Sequence, residues 1–322
     1  MTEMTEGYRT FLGLCSHEYF HTWNIKRIKP AAFTPYDLTQ ENYTTLLWAF
    51  EGITSYYDDL ALLRSGIIEL KDWLELTAKA ISAVQRTPGR QKQSLAESSF
   101  DAWSKFYRPD ENTPNAVVSY YAKGALAALA LDLTLRHQTT GKVSLDDVML
   151  ALWQRHGKTG IGVGEEDIRL ITEELSGLNL KRFFADTVHG TGELPLKKLL
   201  AHFGIKLEWE TAKHPSLGIK TSGEGSEIKL ATVYDGGAAQ AAGLSAGDLL
   251  LAIDGLRITP ASIDKQLARR QPGDTIKVYA FRRDELMSFD VKLDSPTADT
   301  AKLIVETRRK TAKHKAPQDY PL

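Results

Sequence analysis

At Phe203 the chain changes character, and that change limits its fold more than any other feature. Up to about residue 204 the sequence reads as helix after helix, over 5–23, 41–64, 70–86, 94–106, 119–138, 144–156, 165–176, 180–189 and 195–203. The stretch "ALAALALDLTLR" has the composition of a buried helix, and Gly141 and Gly157 stand where helices stop. Beyond Phe203, "FGIKLEWE", "EIKLATVY", "DLLLAIDG", "TIKVYAFRR" and "MSFDVKL" are short β-type runs separated by Gly, Asp and Pro. One helical insert, "PASIDKQLARR", interrupts them, and the polar, basic "ETRRKTAKHKAPQDYPL" closes the chain. The expected fold is multidomain α + β: a helical domain over 1–203, a small β-rich domain over 204–294 and a basic polar tail over 295–322.

A length of 322 residues supports two such cores. The balance of charges, net -1, exerts no general pull toward nucleic acid or anionic membrane, so no nucleic-acid partner is expected. The cluster Arg308, Arg309, Lys310, Lys313 and Lys315 reads as a solvated tail. A single cysteine, Cys15, excludes an internal disulfide and any Cys-rich zinc site, and reads as a buried structural thiol. No apolar stretch is long enough to span a bilayer, and the first sixteen residues lack the pattern of a secretory leader. The compartment is left open, with the cytoplasm slightly favoured.

Chemistry enters at "SHEYFHTW". His17 and His21 have the H-E-x-x-H spacing that puts two imidazoles on one helical face, one turn apart, where they can grip zinc. Glu18 would then point at the metal's open position and take a proton from water. The bland alternative is a half-buried aromatic helix carrying two satisfied histidines. A third ligand changes the balance. Glu51, in "LLWAFEGITSYYDDL", is a carboxylate on an apolar and aromatic helix face, costly unless paired with a cation or bound to metal. Asp58 or Asp59, one to two turns later, could orient a histidine ligand or merely cap a helix. "HGKTGIGVGEE" is a loop, since a P-loop needs glycine at Leu152 and a preceding strand.

Together, "SHEYFHTWNIKRIKP", "PYDLTQENYTTLLWAFEGITSYY" and "SYYAKGALAALALDLTLR" resemble the glycyl aminopeptidase family, gluzincins related to the aminopeptidase-N clan, over roughly residues 10–205. The resemblance implies a thermolysin-like zinc peptidase domain with one Zn²⁺ per chain. In that clan a W-x-x-E-G segment supplies the third ligand, and Trp48-Ala49-Phe50-Glu51-Gly52 matches it after 29 intervening residues. A clan tyrosine in Y-x-K-G-A stabilises the oxyanion, and Tyr121-Ala122-Lys123-Gly124-Ala125 matches it. Tyr120, a quarter-turn round the expected helix, is turned aside. The family carries a β-structured region ahead of the zinc helix. With sixteen residues before His17, the present chain is expected to lack it.

"HPSLGIKTSG" and "VYDGGAAQAAGLSAGDLLLAIDGLRI" resemble a PDZ domain of the kind attached to bacterial proteases. Leu217, Gly218 and Ile219 fall at its carboxylate-binding loop, and the groove beside "PASIDKQLARR" implies a C-terminal peptide ligand. Three functions follow from these resemblances. One is a zinc aminopeptidase removing small N-terminal residues from a peptide or protein substrate. The others are a catalytically weak fragment that binds peptides through its PDZ domain, and a zinc endopeptidase.

Overall fold

The computed structural model describes residues 4–223 and 225–306. Its first part is helical: α1 (Glu6–Phe20), α2 (Ile53–Arg64), α3 (Leu70–Gln85), α4 (Leu95–Phe100), α5 (Thr113–Ala116), α6 (Ala122–Gln138), α7 (Leu145–Leu152), α8 (Asp167–Ser176), α9 (Lys181–Thr187) and α10 (Leu196–His202). Local chemistry sets several starts. Thr5 Oγ1 accepts the Tyr8 N–H at the head of α1, and Ser94 with Glu97 forms a reciprocal capping box on α4. Helix α6 is rich in Ala and Leu on every side, and twelve of its seventeen residues are buried, which makes it the central helix of this half. Helices α2, α3 and α10 pack on it.

Three of the expected helices differ in detail. The one read over 41–64 begins only at Trp48, and Trp48–Gly52 is a π-helical turn leading into α2. The helices read over 94–106 and 144–156 each end in a π-helical turn, Ala102–Phe106 and Trp153–Gly157. The first packs tightly on the start of α6. A Cβ on Gly52 would lie 2.6 Å from Gly124 Cα and 2.9 Å from the Tyr120 carbonyl, so the two backbones touch there. Each of the two segments therefore carries its glycine where the other presses on it.

The boundary also differs from the sequence reading. Strand β1 (Ile205–Thr211) pairs antiparallel with a strand over Ala298–Val305, inside the region read as tail. Ile205, Leu207 and Ala301 join the helical core, and the Ala301 N–H donates to Ser82 Oγ of α3 at 2.8 Å. The alternating Ala301, Leu303 and Val305 of "ADTAKLIV" are a weak strand signal, which the basic residues after them obscure. The basic cluster from Arg308 to Lys315 lies outside the described residues.

A second core runs from Leu217 to Leu293. Its strands are β2 (Ile219–Ser222), β3 (Ile228–Val233), β4 (Leu249–Ile253), β5 (Leu256–Arg257), β6 (Thr275–Arg282) and β7 (Glu285–Lys292), and the tail strand over Ala298–Val305 is β8. The order is β2–β3–β4–β6–β7, all antiparallel neighbours, with β5 pairing β4. Two short helices, α11 (Ala238–Ala241) and α12 (Ile263–Leu267), bury Ala238, Ala239, Ile263 and Leu267 in this core. Asn115, buried on α5, joins the two halves: its Nδ2 donates to the Val233 carbonyl at 2.9 Å and its Oδ1 accepts the Asp235 N–H at 3.0 Å. Lys92 pairs with Asp235 beside it. Among the described residues no helix is long and apolar enough to cross a membrane.

Candidate metal centre

Helices α1 and α2 pack side by side, and the π-helical turn before α2 brings Glu51 against the last turn of α1. His17 Nε2 lies 3.3 Å from Glu51 Oε2, and His21 Nε2 also lies 3.3 Å from it. One ligand atom from each of the three residues falls within a 4.8 Å span. Ligands at about 2.0–2.2 Å from a tetrahedral metal stand about 3.3–3.6 Å apart, so the gap is metal-sized.

The far sides of both imidazoles are occupied. His17 Nδ1 is 3.0 Å from Asp58 Oδ2, and His21 Nδ1 is 2.9 Å from the Asn24 carbonyl. A carbonyl and a carboxylate only accept, so each Nδ1 carries the proton and each Nε2 turns toward Glu51. Asn24 is itself fixed, for its Nδ2 donates to the Ala49 carbonyl and to Thr54 Oγ1, both at 3.1 Å. One buried amide thus ties the end of α1 to the turn that carries Glu51. Of the two aspartates read as candidates, Asp58 meets the histidine and Asp59 does not. Nothing in the sequence singled out Asn24, whose role rests on contacts 25 to 30 residues away.

Electrostatics agree with a cation site. Burial opposes charge on His17, but Asp58 and Glu51 outweigh it and lift its pKa to about 9. His21 is raised as well, against its burial, by Glu51 and the Asn24 carbonyl. Glu51, despite burial, is pulled down to about 2 by the two histidines. Burial and the neighbouring Asp58 charge push Asp59 up to about 7. The donors present, two imidazoles and a carboxylate, suit Zn²⁺.

A cleft of about 680 Å³ opens on this cluster, lined by His17, Glu18, His21, Glu51, Asp58 and Tyr121, among others. Glu18 is exposed in its wall. Tyr121 stands at the start of α6, its ring 6.3 Å from that of His17. Tyr120 is fully buried, its ring stacked on that of Tyr121 at 4.7 Å and 4.8 Å from the Phe106 ring. The two tyrosines precede the helix rather than lying within it, so the expected helical quarter-turn does not separate them: their rings lie face to face, and Tyr120 differs in being fully buried. Tyr107, which sequence reasoning missed, has its hydroxyl 3.0 Å from that of Tyr121. Cys15 departs from the expectation of a buried thiol, because it lies on the outer face of α1 and is exposed.

The loop residues of the β-rich domain are also in place, 217 to 219 leading into the edge strand β2. Leu217 is buried and its carbonyl accepts the Ala239 N–H at 2.8 Å. The Gly218 N–H is taken by Ser216 Oγ at 3.0 Å, and Ile219 starts β2.

Residues 10–127 match the family model of the M61 glycyl aminopeptidases, and residues 215–293 match that of the PDZ domain. An aminopeptidase N family protein from Idiomarina loihiensis, solved by crystallography, is 42% identical with a TM-score of 0.92. That match covers 95% of this chain and 55% of the other. The chain carries an M61 glycyl aminopeptidase domain followed by a PDZ domain. It spans little more than half the length of the Idiomarina protein. The M61 match includes all three candidate metal ligands, Glu18 and Tyr121.

Two weaker likenesses are an HtrA-type protease, AlgW, with a decapeptide and a serine endoprotease from Yersinia pestis. The first is 26% identical over 26% of this chain and 29% of the other, with a TM-score of 0.24. The second is 24% identical over 31% of this chain and 33% of the other, with a TM-score of 0.23. No curated protein matches.

Proposed function

We propose that the M61 domain is a zinc-dependent peptidase, acting as an aminopeptidase on peptides with a small N-terminal residue such as glycine or alanine. The observation that carries this reading is the convergence of His17, His21 and Glu51 on one metal-sized gap, with Glu18 free in the cleft beside it. His17 Nε2, His21 Nε2 and a Glu51 oxygen would hold one zinc ion, which when bound polarises the scissile carbonyl and makes water more acidic.

The remaining chemistry falls to the chain's own groups. Glu18 takes the proton of the attacking water and returns it to the departing amine as the C–N bond breaks. The Tyr121 hydroxyl donates to the substrate oxygen as negative charge builds there. Asp58 and the Asn24 carbonyl keep each imidazole in the tautomer that presents Nε2. In the PDZ domain, the outer edge of β2 takes the C-terminal strand of a partner peptide beside α12.

The test separates binding from chemistry. Glu18→Gln should keep about one zinc per chain by metal analysis, while hydrolysis of glycyl and alanyl substrates falls ~100-fold or more. Loss of zinc in that variant, or undiminished turnover, would overturn the assignment.

A further inference from the structure

We infer that Tyr107 is a positioning residue whose hydroxyl aims the Tyr121 proton at the substrate oxygen, an inference that rests on the peptidase reading above. Three phenols meet at this corner of the cleft. The Tyr120 hydroxyl donates to Tyr107 Oη at 3.2 Å, and Tyr107 Oη lies 3.0 Å from Tyr121 Oη.

Each hydroxyl has one proton, which fixes the order. Tyr107 accepts from Tyr120, so its own proton is free for the Tyr121 oxygen. Tyr121 then has its proton left for the substrate. The opposite order would spend the Tyr121 proton on Tyr107 and leave the substrate oxygen without a donor. A chain of hydroxyls pointing one way also polarises its last member, so Tyr121 donates more strongly than an isolated phenol.

The surroundings serve this order. Tyr107 ends the π-helical turn Ala102–Phe106, and the Phe106 ring packs 4.8 Å from Tyr120 and 5.7 Å from Tyr121, holding both rings. Tyr107 is 58% exposed, so its ring adds little to the core and its hydroxyl is the part with defined partners. Tyr120, fully buried, anchors the far end. A substrate seated in the cleft would strip water from the Tyr107–Tyr121 bond and strengthen it.

The experiment is a double-mutant cycle in the zinc-loaded full chain, joined to a spectroscopic reading of the phenols. Tyr107→Phe should lower kcat about 3- to 10-fold, the worth of one ordinary hydrogen bond, with KM little changed. Added to Tyr121→Phe it should cost nothing more, because the proton it aims is gone. With isotope label at tyrosine Cζ, Tyr107→Phe should shift the Tyr121 resonance whether or not the chain turns over substrate. An unmoved Tyr121 resonance overturns the inference, and so does a kcat loss that persists undiminished in the Tyr121→Phe background. If the wild-type chain hydrolyses no peptide, the peptidase reading fails, and the resonance still decides whether Tyr107 holds Tyr121.

Discussion

The candidate metal centre of the M61 domain is assembled from side chains, two imidazoles on α1 and two carboxylates, Glu51 in the turn before α2 and Asp58 in α2 itself. The proposed peptide edge of the PDZ domain is assembled from backbone, with its named loop residues buried, capped by Ser216 or opening β2. A side-chain site is rigid because each ligand is gripped from behind, as Asp58 and Asn24 grip the histidines. A backbone site is only as rigid as the sheet that carries it. The two regions should therefore answer mutation differently, sharply and chemically in the first, gradually and through stability in the second.

The largest effect is expected at Tyr121. In the proposed mechanism Tyr121→Phe removes one donor to the developing oxyanion, which typically costs 100- to 1000-fold in kcat with little change in KM. Zinc content should be unchanged, and steady-state kinetics beside metal analysis measure both. A fall in zinc would mean that Tyr121 holds the centre together rather than serving the reaction. Tyr120→Phe leaves the ring in its pocket and should cost far less.

That same comparison explains what was legible in the sequence. His17 and His21 could be read because helical spacing alone puts them on one face, and Glu18 because it follows the first of them in the H-E-x-x-H pattern. Glu51 could be read because a carboxylate in an apolar segment demands a partner. Tyr107 and Asn24 could not, since each acts through residues brought near only by the fold. Strand β8 was missed for a related reason. Its partner β1 lies some ninety residues earlier, and three alternating apolar side chains are too weak a local signal to announce the pairing. The change of period near 204 was real, yet β1 belongs to the helical core, because a strand is assigned to a domain by what covers its faces.

A second test uses pH. In the metal-free chain the folded pKa of His17, about 9, lies above its ordinary value of 6.5. The imidazolium therefore contributes stability that is fully present below about pH 6.5 and is lost as pH rises through 9. Denaturant unfolding without metal should show that loss, up to ~3 kcal/mol at 1.36 kcal/mol per unit. Zinc needs neutral imidazole, so saturating zinc should flatten or reverse the slope over the same window. The slope should appear in the unfolding of the M61 domain. Its appearance in the PDZ transition would erase the contrast drawn above.

Asp58→Asn offers a smaller effect. It keeps the shape but loses the charge behind His17, and such partners are usually worth 10- to 100-fold in metal affinity. Competition with a coloured chelator measures it. Unchanged affinity would make Asp58 a packing residue.

The smallest effect is expected in the PDZ domain, at Gly247. Its φ is +90°, a conformation that other residues adopt only with strain, while a Cβ there would meet nothing within 4 Å. Gly247→Ala thus adds backbone strain without a clash, about 1–2 kcal/mol. Because the PDZ core shares no buried residue with the helical one, the PDZ transition alone should move in thermal or denaturant unfolding. Zinc content and hydrolysis should hold. The route by which PDZ order would reach the site is the junction where Asn115, five residues before Tyr120, grips Val233 and Asp235 and Lys92 pairs with Asp235. If Gly247→Ala lowers kcat in step with PDZ stability, that grip transmits PDZ order to the tyrosines, and the two regions work as one unit.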